Sequence, residues 1–528
     1  MSARALGPAS LIVGGLTLIG FLIRLAAFDQ SLFGDELSTY WILDGHSLGE
    51  VLSSVRSNDE ITPPLYFVLG WLSLQVGPDP EWVRLPSLLA GTATIPLVYL
   101  LGLRTVGRRA ATIAAALIAL APFMVYYSVE ARSYAVMIAL LTASTLCLLL
   151  SLDRGGVGWW LAYAGCSCGA LLSHYTSVFP LAAQFAWAAW VHREALRELL
   201  LANLAVVAGF APWIPGFVAD NNSPTTSILS ALQPFTPGAV RSAIEHWAVG
   251  YPYLRLSVVP GEVGLALICA GIAVAVIAVA IRLVRSRQPI AETLRRIPPP
   301  VYLVVALALA TPVGEAIFSA VGTNLLGARN LNASWPGLAL ATAALLAAAG
   351  PIAAPACAAL VVGGFAVGAA TTLRSDAARP DFAGAAALID GRAAPRDVIV
   401  DAAALTPVPL TPLDVYLPQT RPEFRLGLPR SDRPFAVGDP VPPPARQIRR
   451  SFRLAGGGAI ILVTALPGGG AETGATVREE EVRAERKRFA AMLLRELPSG
   501  FEVVRRRSFD GLVPVGVYEI EDRRSAAG

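Results

Sequence analysis

Long apolar stretches alternate with short polar connections from residue 10 to residue 371. A run of about 20 apolar residues is long enough for a helix to cross the hydrocarbon core of a bilayer. The pattern therefore predicts eleven membrane-spanning helices. These are 10–28, 84–103, 109–127, 134–151, 159–175, 177–191, 200–218, 258–281, 300–320, 332–349 and 351–371. Residues 63–76 are apolar but short and open with two prolines, which predicts a helix lying in the membrane interface.

The pattern changes after Leu373, where charged residues become frequent and no further span appears. Short runs rich in β-branched residues at 397–402, 459–464 and 513–520 predict strands. Residues 477–497 have apolar positions at helical spacing among Glu and Arg, which predicts a surface helix.

The predicted fold class is an α-helical polytopic membrane protein with about eleven transmembrane helices and a small C-terminal soluble α/β domain. We place the membrane domain at 1–373 and the soluble domain at 374–528. Within the membrane domain, 28–83 is predicted to be a first outer loop that carries interfacial helices.

Composition supports this division. The 528 residues are 54% hydrophobic and 15% charged, with a mean hydropathy of +0.56, whereas soluble domains are about a quarter charged. The net charge of +4 includes no basic tract, so nucleic acid is not an expected partner. No glycine-rich phosphate loop appears, which argues against an ATP-driven pump. The five cysteines lie in apolar segments and are interpreted as packing residues.

Arginine in the short loops sets the predicted orientation, because such residues accumulate on the cytoplasmic side. Twelve lie on the side of the N-terminus and six on the opposite side. The N-terminus is therefore predicted to be cytoplasmic, and an odd number of spans places the C-terminal domain outside. The predicted location is the plasma (inner) membrane, as a multi-pass protein whose first span is an uncleaved anchor.

Two adjacent carboxylates, Asp35 and Glu36, follow the first apolar stretch by about seven residues. Acidic residues near hydrocarbon are costly, so a pair at the mouth of a helix indicates a functional site. An N-cap on an interfacial helix would account for one acid and hardly for two.

Further polar residues are predicted on the same outer side. They are Arg24, Glu130, Arg132, Tyr134, His174 and Arg329. Each also has a structural interpretation: Arg24 as a side chain that reaches the headgroups, Glu130 with Arg132 as a pair at a turn, His174 as a hydrogen-bonding group within the bundle, and Arg329 as a flanking residue. Their shared side of the membrane is what favours a common site.

Several motifs, in this order along the chain, resemble bacterial glycosyltransferase family 39, the protein mannosyltransferase and aminoarabinose transferase group of the GT-C superfamily. They are Thr62-Pro-Pro-Leu-Tyr-Phe, Glu81-Trp-Val-Arg-Leu-Pro-Ser87, Pro96-Leu-Val-Tyr-Leu-Leu-Gly102 and Tyr126-Tyr-Ser-Val-Glu-Ala-Arg-Ser-Tyr134. His174-Tyr175 and the segment from Arg379 through Asp381-Phe-Ala-Gly-Ala-Ala also resemble such proteins.

The resemblance implies transfer of a mannose- or arabinose-like sugar from a polyprenyl-phosphate donor to an acceptor on the exoplasmic face, with inversion at the anomeric carbon. The acidic pair of the family's first outer loop corresponds to Asp35 and Glu36. Many relatives have His before the Pro-Pro, where this chain has Thr62, so no metal ligands are predicted. No cofactor is expected, and a divalent metal is left open.

The donor already carries a phosphate leaving group, so attack by an acceptor hydroxyl needs one general base. We assign this role to Asp35, while Glu36, about 100° further round the helix, orients a sugar or a neighbour.

Arginine binds phosphate oxygens with a planar fork, which makes Arg24, Arg132 and Arg329 candidates for the leaving phosphate. Glu130 would orient Arg132, and Tyr134 or His174 would hydrogen-bond the sugar or phosphate.

Two other classes of function stay open: a transporter or flippase of lipid-linked sugars, and a non-catalytic membrane scaffold. The predicted partners are the lipid bilayer, the lipid-linked sugar and a glycan, lipid or protein acceptor. The sequence leaves the sugar and the acceptor unidentified.

Overall fold

The structure is a computed structural model that describes residues 8–57, 60–223, 235–286, 292, 295–322, 324, 326–402, 410–417, 423–425, 444–465, 491, 494–495, 497 and 499–522. Most of the predicted surface helix at 477–497 lies outside the described residues.

Helices make up most of the described chain, and we number them α1 to α20. Through the first half they are α1 Pro8–Leu25, α2 Asp35–Leu43, α3 Leu48–Arg56, α4 Leu65–Leu74, α5 Leu85–Thr105, α6 Arg108–Leu120, α7 Pro122–Tyr127, α8 Tyr134–Arg154, α9 Val157–Leu171, α10 Val178–Val191, α11 Leu196–Phe210, α12 Ile214–Asn221 and α13 Pro237–Val249. The remainder are α14 Glu262–Ser286, α15 Pro299–Val321, α16 Trp335–Ala348, α17 Ala353–Thr372, α18 Phe382–Asp390, α19 Pro412–Tyr416 and α20 Pro444–Ala455. Two short helical turns, Pro80–Arg84 and Ala328–Ser334, lead into α5 and α16.

Seven helical segments in the described residues are long and apolar enough to cross a membrane. They are Pro80–Thr105, Tyr134–Arg154, Arg193–Asn221, Ser257–Ser286, Pro299–Val321, Ala328–Ala348 and Ala353–Thr372. The other four predicted spans fall on the shorter helices α1, α6, α9 and α10. The ten-residue α4 is too short to cross, as predicted for an interfacial helix.

A proline explains why one predicted span is divided. The stretch at 109–127 forms α6 and α7, which meet at Ala121-Pro122. Pro122 has no N–H to donate to the carbonyl of Ile118, one turn earlier. Arg24 of α1 supplies the missing donor: its Nη2 lies 2.9 Å from the Ile118 oxygen and its Nη1 lies 3.1 Å from the Ala119 oxygen.

The C-terminal part contains a mixed five-stranded sheet in the order β2-β1-β3-β5-β4. The strands are β1 Val398–Ala402, β2 Glu423–Arg425, β3 Ile460–Ala465, β4 Phe501–Phe509 and β5 Val515–Asp522. β1 pairs in parallel with β2 and β3, while β5 pairs antiparallel with β3 and β4. Strands β1, β3 and β5 match the three predicted runs, and β2 and β4 were not predicted. The predicted fold class is confirmed, whereas the domain boundary at 373 stays a prediction.

Candidate active site

The acidic pair lies in the first turn of α2. Gly34 precedes it with φ +63°, a left-handed conformation that glycine adopts without strain. Asp35 and Glu36 are the first two residues of the helix, where the positive end of the helix dipole favours negative charge. The sequence therefore starts a helix at this point and exposes its two first side chains to different surroundings.

The loop before α2 is held by groups from distant parts of the chain. The guanidinium of Arg84 donates hydrogen bonds to the carbonyls of Phe28, Gln30 and Ser31. From the C-terminal side, the Arg379 N–H donates to the Gln30 side chain at 3.0 Å. These contacts fix the backbone that presents the acidic pair.

Two further C-terminal contacts act on the same loop. The Ala383 N–H donates to Ser31 Oγ at 2.9 Å. The Leu32 N–H donates to the Tyr416 hydroxyl at 2.7 Å, and that hydroxyl donates to Glu81 Oε1 at 2.7 Å.

Glu36 is completely buried and accepts hydrogen bonds at both oxygens. Arg84 Nε lies 2.7 Å from Oε1 and Arg84 Nη2 lies 2.6 Å from Oε2. The Ala131 N–H adds a bond of 2.8 Å to Oε1, and Arg379 Nε lies 3.2 Å from Oε2. Burial raises the pKa of Glu36, but the charges of Arg379 and Arg84 outweigh it and hold the pKa below 4.5.

Asp35 has a different environment. Its Oδ2 accepts a hydrogen bond of 2.6 Å from Arg329 Nη1, across 294 positions of sequence. The Asp35 side chain is 29% exposed and the Arg329 side chain 28% exposed. The structure thus brings together two residues predicted for one site, at a place that solvent or substrate can reach.

Arg132 pairs with Glu60, and not with Glu130 as expected. Arg132 Nη1 lies 2.7 Å from Glu60 Oε2 and its Nη2 lies 3.1 Å from Oε1. Thr62 takes part in the pair, donating to Glu60 Oε1 at 2.7 Å and accepting from Arg132 at 3.1 Å. Burial raises the pKa of Glu60, but the charge and hydrogen bonds of Arg132 lower this pKa by more than burial raises it. The carboxyl therefore stays ionised.

Glu130 lies in the bend between α7 and α8 and is 3% exposed. Its Oε2 has no hydrogen-bond partner among the described residues. Burial raises the pKa of Glu130 to about 8, and the negative charges of Asp35 and Glu36 act in the same direction. Glu130 is therefore a mostly neutral carboxylic acid at pH 7.

An aromatic row lies beside this cluster. The ring of Tyr134 lies 4.9 Å from that of Tyr127 and 5.3 Å from the imidazole of His174. His174 Nδ1 accepts a hydrogen bond of 3.3 Å from the Thr176 N–H. One ring nitrogen of His174 is thus engaged within its own turn.

Arg24 does not join these residues. Its side chain is fully buried and donates to backbone carbonyls of α1 and α6. Both expectations for Arg24, phosphate binding and contact with the headgroups, are replaced by a structural role at the α6–α7 break. Among the described residues, no group of three or more His, Cys, Asp or Glu side chains is placed to hold a metal ion.

Three residues of the cluster were not singled out from the sequence: Arg84, Arg379 and Glu60. Arg84 and Arg379 stand inside motifs that carried the family resemblance, which was the available signal. Glu60 gave no signal, because only the fold shows that it faces Arg132, which lies 72 positions away.

Residues 62–216 match the family model described as dolichyl-phosphate-mannose-protein mannosyltransferase. This match confirms the predicted resemblance over that segment, which includes Arg84, Glu130, Arg132 and His174. Asp35 and Arg329 lie outside it, so their pairing is a finding of the structure alone. No curated protein matches the sequence.

Solved structures with some likeness to this chain include three glycosyltransferases. ArnT from Cupriavidus metallidurans, bound to undecaprenyl phosphate, is 14% identical with 98% of each chain covered and a TM-score of 0.40. The oligosaccharyltransferase AglB from Archaeoglobus fulgidus, with an inhibitory peptide and a dolichol-phosphate, is 14% identical over 64% of this chain and 50% of its own, with a TM-score of 0.39. The S. cerevisiae Pmt1-Pmt2 complex bound to its sugar donor is 16% identical over 41% and 33%, with a TM-score of 0.30. Scores this low do not establish a shared arrangement of helices.

Proposed function

We propose that this protein is an integral-membrane glycosyltransferase that moves a mannose- or arabinose-like sugar from a polyprenyl-phosphate donor to an acceptor hydroxyl on the exoplasmic face. The observation that carries the proposal is the partly exposed Asp35–Arg329 pair, placed beside a segment that matches a mannosyltransferase family. A carboxylate and a guanidinium side by side supply a proton acceptor and a phosphate ligand at one place.

Asp35 is the proposed general base. The acceptor oxygen attacks the anomeric carbon, the bond from that carbon to the phosphate oxygen breaks, and the phosphate leaves with the bonding electrons. The acceptor proton passes to the Asp35 carboxylate. Glu36 is unsuited to this step because buried donors occupy both of its oxygens. A positioned base contributes about 10²–10⁴-fold to the rate.

Arg329 is the proposed ligand of the leaving phosphate. It is more accessible than Arg132, whose side chain is 11% exposed and which is bound at two nitrogens by Glu60. An incoming phosphate would compete with Asp35 for the Arg329 guanidinium, because both are anions that accept from the same donor. Donor binding would then free the Asp35 oxygen that accepts the proton.

The test is sugar transfer by the purified full chain from a panel of polyprenyl-phosphate sugars, with acceptor lipids and peptides from the native membrane. Wild type is compared with Asp35→Asn, and with Asp29→Asn as a control that makes the same chemical change at an exposed position. We expect transfer by wild type and the control, and its loss in Asp35→Asn. Equal transfer by all three proteins would refute Asp35 as the base. If folded protein transferred sugar from none of the donors, the proposal that it is a glycosyltransferase would be refuted.

One observation favours transport of a lipid-linked sugar as the second candidate function. Glu315 lies within the membrane-length segment Pro299–Val321, is 3% exposed and has an oxygen without a hydrogen-bond partner among the described residues. Ionisable groups inside a membrane often mark transport routes. Movement of a labelled polyprenyl-phosphate sugar across proteoliposomes that hold this protein, and its loss in Glu315→Gln, would support this candidate.

A further inference from the structure

The buried carboxyl of Glu130 has polar surroundings but, within the described part of the chain, no counter-ion of its own. The charged groups that act on it are Asp35 and Glu36 of α2, Arg379, and Arg132 two residues away. Both cations are already engaged, Arg379 with Glu36 and Arg132 with Glu60. Five phenol groups among the described residues also lie within electrostatic reach of the Glu130 carboxyl. They belong to Tyr66, Tyr126, Tyr127, Tyr134 and Tyr251.

A carboxyl in these surroundings keeps its proton. Removal from water disfavours the charged form, and two neighbouring acids repel a third negative charge. A protonated carboxyl carries one O–H donor. Glu130 Oε2 has no hydrogen-bond partner among the described residues, so this buried carboxyl has hydrogen-bonding capacity that those residues do not use.

The matching partner of a protonated carboxyl is a hydrogen-bond acceptor, and Asp35 is near enough for its charge to act on the Glu130 carboxyl. Under the proposed function, the group that comes to Arg329 and Asp35 is the phosphate of the lipid-linked donor. Phosphate oxygens accept only, and a hydrogen bond to an anionic oxygen is roughly twice as strong as one between neutral groups. A neutral donor also adds no negative charge beside the phosphate.

We propose that Glu130 binds the sugar donor by donating a hydrogen bond from its carboxylic acid to an oxygen of the polyprenyl phosphate. This inference rests on the proposed function and gives Glu130 a role different from orienting Arg132. It requires the protonated acid, whereas a residue that paired with an arginine would require the carboxylate.

Two substitutions separate these roles. Glu130→Gln keeps the size and an N–H donor, whereas Glu130→Met keeps the approximate size and has no donor. The measurement is the affinity of the purified full chain for undecaprenyl phosphate. We expect Glu130→Met to bind about 10- to 100-fold more weakly than wild type, as for the loss of one charge-assisted hydrogen bond, and Glu130→Gln to recover most of that loss.

The pH dependence gives a second readout that a structural role would not move. Because the folded pKa is about 8, wild-type affinity should fall as the pH rises through 8, where the acid loses its donor and becomes negative. The Glu130→Gln variant should lack that fall. Titration of the phosphate itself, near pH 6, is common to both variants.

The proposal would be overturned by equal weakening of binding in both variants, by unchanged affinity in both, or by identical pH profiles for wild type and Glu130→Gln. An effect seen only with the sugar-bearing donor would also overturn it, since the partner would then lie on the sugar. Thermal unfolding checks that Glu130→Met folds. If this variant does not fold, the pH profiles of affinity for wild type and Glu130→Gln decide whether the proposal holds.

The binding assay requires no turnover. Glu130-dependent binding of undecaprenyl phosphate without sugar transfer would leave this inference standing while the proposed function fails.

Discussion

Asp35 and Glu36 are adjacent carboxylates with opposite surroundings. Glu36 is completely buried, and both of its oxygens accept bonds from Arg84 and the backbone. Asp35 is 29% exposed and is held at one oxygen by Arg329. The difference arises from which distant segment reaches each side chain: the turn before α5 for Glu36, and the turn before α16 for Asp35.

This contrast shows how one short motif supports both stability and chemistry. A fully satisfied buried carboxylate has little capacity left for a substrate, but it fixes the loop that carries its neighbour. A singly held, accessible carboxylate can exchange its partner when a ligand arrives. The two residues should therefore fail in different ways when they are changed.

The largest expected effect on activity comes from Asp35→Asn. Loss of the base should lower kcat by about 10²–10⁴-fold. An accessible ion pair contributes only about 0–1 kcal/mol to stability, so the Tm should barely change. Turnover and thermal unfolding of the same preparation check this, and a large fall in Tm with normal turnover would reverse the roles of the two acids.

Glu36→Gln should act mainly on folding. Breaking a buried ion pair costs about 3–5 kcal/mol, because the remaining arginine charge is left uncompensated. Since the folded pKa of Glu36 is below 4.5, its contribution is present above pH 4.5 and is lost as the pH falls below that value.

Unfolding of wild type and Glu36→Gln in detergent, measured across this pH range, tests the expectation. The difference in stability between them should shrink in acid, and a constant difference would contradict the ion-pair explanation.

Two arginine substitutions sharpen the comparison at the phosphate. Lysine keeps the charge but lacks the planar fork. Arg329→Lys should weaken binding of undecaprenyl phosphate about tenfold, with stability nearly unchanged. Arg132→Lys should lower the Tm clearly and the affinity for undecaprenyl phosphate only slightly, because Arg132 holds Glu60. Affinity and unfolding are measured on both variants. Weaker binding by Arg132→Lys than by Arg329→Lys would contradict this assignment.

The smallest effect is expected for Thr62→Val. The hydroxyl donates to Glu60 and accepts from Arg132, and valine has nearly the same shape without it. The loss should destabilise the protein by about 0.5–1.5 kcal/mol, visible as a modest shift in Tm. A loss of activity without any shift in Tm would instead place Thr62 in contact with the substrate.

The sequence predicted the helical membrane part, three of the five described strands and the accessible acid, because these follow from hydropathy and local pattern. The divergence of Asp35 and Glu36 also follows from helix geometry. The partners did not follow from the sequence. Arg84 lies 48 positions from Glu36, and Glu60 lies 72 positions from Arg132. Arg379 lies 343 positions from Glu36. Pairing at such distances depends on how helices pack, which no local pattern records.

Arg24 is a second case in which local sequence did not reveal the contacts of a residue. Its position near the outer end of an apolar stretch was compatible with two roles that proved wrong. The deciding feature was Pro122, which leaves the Ile118 carbonyl without its helical donor.

The same contact bears on how the chain enters the membrane. Arg24 belongs to the first helix, but the carbonyls that it binds are made 94 and 95 residues later. Arg24 lies in the last turn of α1, where its side chain can reach the membrane interface before α6 has been made. Burial of the guanidinium against α6 therefore requires α1 to pack against a helix made later, which makes the final depth of the first helix dependent on that later one. Insertion of this protein is in that respect a cooperative step among helices rather than a sequence of independent ones.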